Sequence, residues 1–111
     1  MTRVNPSLED DIYHALSERK YRVERQIGYS EYRIDLAVRN DQQDGFLLGI
    51  ECDGITYHRH PTVRDRDRLR QLVLEKLGWR IHRVWSREWF RDRDSQIEQL
   101  VEQLEHLRLQ N

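Results

Sequence analysis

Asp35 lies within the apolar run YRIDLAV, and sixteen residues downstream Glu51-Cys52-Asp53 closes a second run, LLGIECDG. Strands are depleted in Asp and Glu, so three carboxylates entering strand patterns need a physical reason. Alternation along a strand sets Glu51 and Asp53 on one face, roughly 6.6 Å apart at their Cα atoms. If Asp35 reaches the same rim, the like charges raise one another's pKa values, and a bound cation relieves the conflict. Oxygen donors without a cysteine pair suit Mg²⁺ or Mn²⁺ over zinc. The chemistry that follows is metal-assisted phosphodiester hydrolysis: the ion polarises a phosphoryl oxygen, activates a water and steadies the leaving oxygen. The competing use of these acids is ion pairing, with Arg33 two residues from Asp35 on the same strand face. Spacing alone leaves both open.

The elements that must position these residues are legible in the apolar periodicity. A first helix is expected from about Ser7 to Arg19, with Leu8, Ile12, Ala15 and Leu16 on one stripe and Glu9 at its border. Tyr21 to Ile27 alternates as a strand and is closed by Gly28. A second strand is expected from Tyr32 to Arg39, followed by a polar turn, and a third from Phe46 to Asp53. The third is nearly continuous in apolar residues until Glu51, as expected of a central strand covered on both faces. Cys52, between two acids, is expected to point toward the core. A loop with Tyr57, His58 and His60 precedes a second helix from about Thr62 to Leu77, whose Leu69, Leu72, Val73 and Leu77 recur at helical spacing. Trp79 to Trp85 reads as a fourth strand. A last helix is expected from about Ser95 to Arg108, started by a Ser95–Glu98 capping box and docked only weakly, since terminal segments fray unless covered. The order is αβββαβ plus a C-terminal helix, an α/β fold.

At 111 residues, 37% apolar and 35% charged, the chain fits one small domain over residues 1–111, with a core from about 7 to 92. A domain of this size buries roughly 65% of the surface exposed by its unfolded chain. No run approaches the about 18 apolar residues of a membrane span, and the N-terminus lacks an apolar targeting segment. With a single cysteine, these features make a cytoplasmic protein the expectation. A net charge of −1 argues against a passive, charge-driven DNA binder. Of the 19 basic residues only Lys20 and Lys76 are lysines, and arginine dominance favours bidentate grips on phosphate or carboxylate.

An acid on the second strand, then Glu-X-acid at the end of the third, in αβββαβ order, resembles the PD-(D/E)XK, or restriction-endonuclease-like, nucleases, which implies a mixed central sheet flanked by helices. The similarity is closer to the very-short-patch-repair-like branch, including domains at the C-terminal ends of some helicase-like proteins. It is carried by YRIDLAV, GIECDGITYH, RDRDRLRQLVLEKLGWRIHRVWS and the following Trp89-Phe90. The resemblance implies a Mg²⁺- or Mn²⁺-dependent DNA endonuclease acting in repair or restriction, with a helicase-like domain or protein delivering the DNA. It makes Asp35 and Glu51 the metal-binding acids and Glu9 the first-helix acid aimed at the same ion. Asp53 stands where the wider family has lysine, and in the branch resembled an acid here is followed by a loop histidine, which makes His58 the candidate for proton transfer or phosphate contact. An ordinary histidine titrates near pH 6.5, within the useful range for such a role. Arg70 would hold a substrate phosphate or orient the carboxylates, with Asp67 supporting it.

Arg83, between Ile81 and Trp85 on one strand face, is expected to reach a carboxylate or phosphate. Trp79 and Trp85 read more readily as packing than as base contacts, and Trp89 and Phe90 as either nucleic-acid contacts or cover for the sheet edge. Two other functions compete with the DNA nuclease. One is a catalytically inactive nucleic-acid or protein-binding module of the same fold, which the missing motif lysine favours. The other is an RNA nuclease with the same chemistry.

Overall fold

The computed structural model describes residues 6–28, 32–42, 44–53 and 61–110, with backbone alone at 6, 7, 53, 61–67 and 110. Its elements follow the order α1 (Pro6–Glu18), β1 (Val23–Ile27), β2 (Ile34–Arg39), β3 (Phe46–Asp53), α2 (Pro61–Lys76), β4 (Ile81–Trp85), α3 (Ser86–Arg91) and α4 (Arg93–Gln110). The strands form one sheet in the order β1-β2-β3-β4. β1, β2 and β3 pair antiparallel and β4 joins β3 in parallel. Parallel pairing needs a long crossover, and α2 lies within it. One consequence bears on function: β2 begins, and β3 and β4 end, along one rim.

One face of the sheet carries the main core. Leu8, Ile12 and Leu16 of α1 pack with Leu36, Val38, Leu48 and Ile50 of the strands and with Ile97, Leu100, Leu104 and Leu107 of α4. Cys52 joins this cluster, as strand alternation beside Glu51 requires. The C-terminal helix is therefore docked along its length rather than frayed. Its four inward residues supply the cover that a terminal segment otherwise lacks.

The apolar residues of α2 do not act as a stripe. Leu69 and Leu72, with Leu77 just beyond the helix, are exposed, Val73 is half-buried, and Leu74 is the buried one. Leu74 and Ile34 lie outside the main cluster. Close approach on this side is possible because β3 carries Gly49: an added Cβ would come within 3.0 Å of Ile81 Cδ1 and 3.2 Å of Ile34 Cγ2. Gly28 is required for another reason. Its φ of +104° and the Tyr32 carbonyl 2.8 Å from a built Cβ leave no room for a side chain as the backbone turns toward β2.

Two features depart from expectation at the C-terminal end. α3 is a separate short helix, and the expected Ser95 cap lies inside α4, where the Ser95 N–H instead donates to Asp92 Oδ1 at 3.4 Å. Asp92 thus does the capping. The break permits Trp89 to be wholly buried, with its indole N–H donating to Asp11 Oδ2 of α1 at 2.7 Å. Arg93 grips both oxygens of the same carboxylate at 2.7 and 3.0 Å, and these bonds hold the Asp11 carboxyl below its ordinary pKa. Trp89 is a core residue, whereas Phe90 beside it is exposed.

Candidate active site

Asp35 and Glu51 are the two charged residues buried among those described, at 9% and 7% exposure. The sheet brings them together: the β2–β3 ladder ends at the Leu36–Ile50 pair, Asp35 and Glu51 are the next residue on each strand toward the rim, and the charge of Asp35 acts on Glu51. Asp35 Oδ2 accepts the Cys52 backbone N–H at 2.8 Å. Glu51 Oε2 accepts from Arg70 Nη2 of α2 at 2.6 Å, and the same guanidinium donates to the Arg33 carbonyl. Arg70 thereby ties α2 to β2 and β3 at the site.

Burial sets the electrostatics. Desolvation disfavours the charged carboxylate and pushes Glu51 up to about 7, the Asp35 charge adding to the rise while Arg70 and Arg83 oppose it. Glu9 on α1 is also raised, first by burial and then by the charge of Asp35, against a hydrogen bond from Gln26 Nε2 at 3.3 Å. Asp35 therefore acts on an acid from each of two other elements. Its neighbours reach the site by different routes, Glu9 along the apolar border of α1 and Glu51 at the end of β3.

Arg83 is registered directly beside Glu51 on β4 and donates to Gln71 Oε1 of α2 at 3.3 Å. Its strand position, odd for a charge, is explained by a buried carboxylate on the adjoining strand. Asp53 is placed by its backbone at the end of β3, paired with Trp85, but its carboxylate lies outside the described residues. So does the Asp67 side chain, although its backbone is in α2. His58 and His60 fall outside the described residues altogether. Among the described residues no three His, Cys, Asp or Glu side chains converge closely enough to hold an ion. What the structure brings together is Asp35, Glu51, Glu9, Arg70 and Arg83.

Three contributors had no signal in the sequence. The Cys52 amide is invisible to side-chain patterns. Gln71 gains its role from facing Arg83 across the crossover, and Gln26 from a φ of 53°, a left-handed backbone uncommon outside glycine.

Comparisons with curated proteins and with solved structures each returned no match. A family model does match, described as REase_MTES_1575, over residues 8–104. That span runs from the first buried leucine of α1 to Leu104 of α4 and takes in every strand and both buried acids. The mixed four-stranded sheet, the helices on it and the buried acid pair at its rim agree with the match, and the chain belongs to this restriction-endonuclease-like family.

Proposed function

We propose that the protein is a divalent-metal-dependent DNA nuclease module that hydrolyses phosphodiester bonds. The observation that carries this is the buried Asp35–Glu51 pair. Two carboxylates withdrawn from water beside each other are costly unless a cation compensates them, and strongly perturbed acids cluster at functional sites. Arg70 meets Glu51 at 2.6 Å, yet this carboxyl still stands at about 7. Two hard oxygen donors at a rim suit Mg²⁺ or Mn²⁺, ions that keep several waters and need few protein ligands.

In this assignment Asp35 and Glu51 are the metal ligands, joined by Glu9, with Asp53 in support. The ion, when bound, would supply Lewis-acid activation of the phosphoryl group and of a water. Arg70 and Arg83 neutralise phosphate charge, and a bidentate guanidinium suits that task. Asp67 holds Arg70 in place, and His58 moves a proton at the attacking or leaving oxygen. Repair or restriction is the setting, with a helicase-like domain or protein presenting the DNA.

A second function has its own support. Arg70 sits on Glu51, Asp35 takes a backbone amide, and Asp53 stands where the wider PD-(D/E)XK pattern has lysine, an arrangement that also serves an inactive binding module. Following melting temperature while titrating Mg²⁺ or Mn²⁺ separates the two, because an acidic site that binds the ion is stabilised by mass action. A plasmid-nicking assay tests catalysis: the wild type should nick with Mg²⁺ and Glu51→Ala should not. Identical behaviour of the two would end the nuclease assignment. Matched DNA and RNA substrates decide between the two polymers.

A further inference from the structure

The chain has three tryptophans, and two are used internally. Trp79 stacks on Phe46 with centroids 5.3 Å apart and planes 23° from parallel. Trp89 is buried against Asp11. Trp85 is 38% exposed, and although it occupies the N-cap of α3 its side chain makes no capping bond. More than a third of this residue's surface is left open beside the buried acids, and its indole is not spent on a cap.

Its position is specific. Trp85 pairs with Asp53 at the end of β3, two residues beyond the Arg83–Glu51 pair. Period-two alternation puts it on the same sheet face as Arg83, one strand-repeat of roughly 6.6 Å further along. Arg83 Cζ lies 5.8 Å from the centre of the indole ring, within cation–π range. Tyr32, 40% exposed, precedes β2 at the same rim, because β2 begins where β3 ends. The rim beside the acids thus presents exposed aromatic rings together with a guanidinium, the combination that takes single-stranded nucleic acid by stacking bases while cations follow the backbone.

We propose that Trp85 is a base-stacking platform, with Arg83 steadying its ring, and that the site takes nucleic acid with an unpaired base, as a single strand or a frayed or displaced end, in preference to intact duplex. A base inside a duplex has no free face to offer the indole. The platform rests on the nuclease assignment for its meaning but not for its test, since stacking is read by binding and cutting by nicking.

The experiment measures fluorescence anisotropy of a labelled oligothymidylate of about 16 nucleotides and of a blunt duplex of equal length, at low ionic strength without divalent metal, for wild type, Trp85→Ala, Trp85→Leu and Trp85→Phe. Wild type should bind the single strand more tightly than the duplex. Trp85→Ala and Trp85→Leu should weaken single-strand binding about 5- to 150-fold, as loss of one stacked base predicts, and Trp85→Phe should recover most of it. Intrinsic fluorescence quenching by the strand should be present in wild type and absent in Trp85→Phe. Thermal melting identifies any variant that fails to fold, and Trp85→Phe, which keeps a ring, leaves the quenching test intact in that event. Single-strand affinity within twofold of wild type in folded Trp85→Ala overturns the platform, as does tighter binding of the duplex or no binding of either. Plasmid nicking, lost in Glu51→Gln, is scored separately: stacking without nicking removes the nuclease assignment alone, and nicking without stacking removes the platform alone.

Discussion

Replacing Glu51 by glutamine should remove a pH dependence from the protein's stability. The folded carboxyl stands at about 7 against an ordinary 4.5. At about 1.4 kcal/mol for each tenfold change in acidity, that difference amounts to about 3 kcal/mol. Between pH 4.5 and 7 the folded protein holds a proton that the unfolded chain has released. The unfolded state then binds fewer protons, so unfolding free energy falls as pH rises through this window and the full loss is present above pH 7. Glutamine keeps the shape and an acceptor for Arg70 but does not titrate. Urea unfolding of wild type and Glu51→Gln at intervals from pH 4 to 8 gives a difference curve in which other titrating groups cancel. Wild-type stability relative to the variant should drop by about 3 kcal/mol across that range. With metal at about a hundred times its dissociation constant at pH 8, wild type should recover about 2.7 kcal/mol and the variant should not. A difference curve that stays flat, or rises with pH, refutes the claim that burial rather than Arg70 dominates this carboxylate.

Arg70→Met, measured by urea unfolding, should destabilise by about 3 to 5 kcal/mol at pH 8, because it leaves Glu51 charged and buried without its partner, and by much less at pH 4, where the carboxyl is protonated. Leu74→Ala should cost about 2 to 5 kcal/mol as a buried truncation, whereas Leu72→Ala, on the exposed side of the same helix, should stay within about 0.5 kcal/mol; equal costs would show that α2 is seated differently. Trp89→Phe retains an aromatic ring but leaves a space and deprives Asp11 of its indole donor at 2.7 Å, with an expected loss of about 1 to 3 kcal/mol by thermal or urea unfolding.

The sheet and its acids were legible because strands expose their chemistry to pattern reading: Asp35 and Glu51 stood out against apolar runs, and the boundaries of β3 are those expected. Cys52 followed from alternation alone. The helices were harder. Spacing in the second helix suggested a stripe of Leu69, Leu72, Val73 and Leu77, but the crossover seats the helix through Leu74, since which side of a helix turns inward is decided by what it packs against, and its own spacing does not carry that. α3 was missed because six residues carry no complete apolar period, and the capping box at Ser95 was displaced because Asp92 offered its carboxylate three residues earlier. Trp79 and Trp85 look alike in sequence. Only the stacking partner Phe46 separates the enclosed ring from the open one. For the site, pairwise register carried Arg83 to Glu51, while the Gln26 contact depended on a backbone bend that residue type does not announce.

The first and last helices close the same face of the sheet, joined where Trp89 and Arg93 meet Asp11. Leu36, Leu48 and Ile50 therefore have no complete cover until the polypeptide has been made through Leu107. Folding of this domain must wait for nearly its final turn to leave the ribosome, and until then the three antiparallel strands present an apolar sheet to the cell. A truncation ending at Asp92 would keep both buried acids and all four described strands, yet should accumulate as aggregate rather than as a smaller working unit.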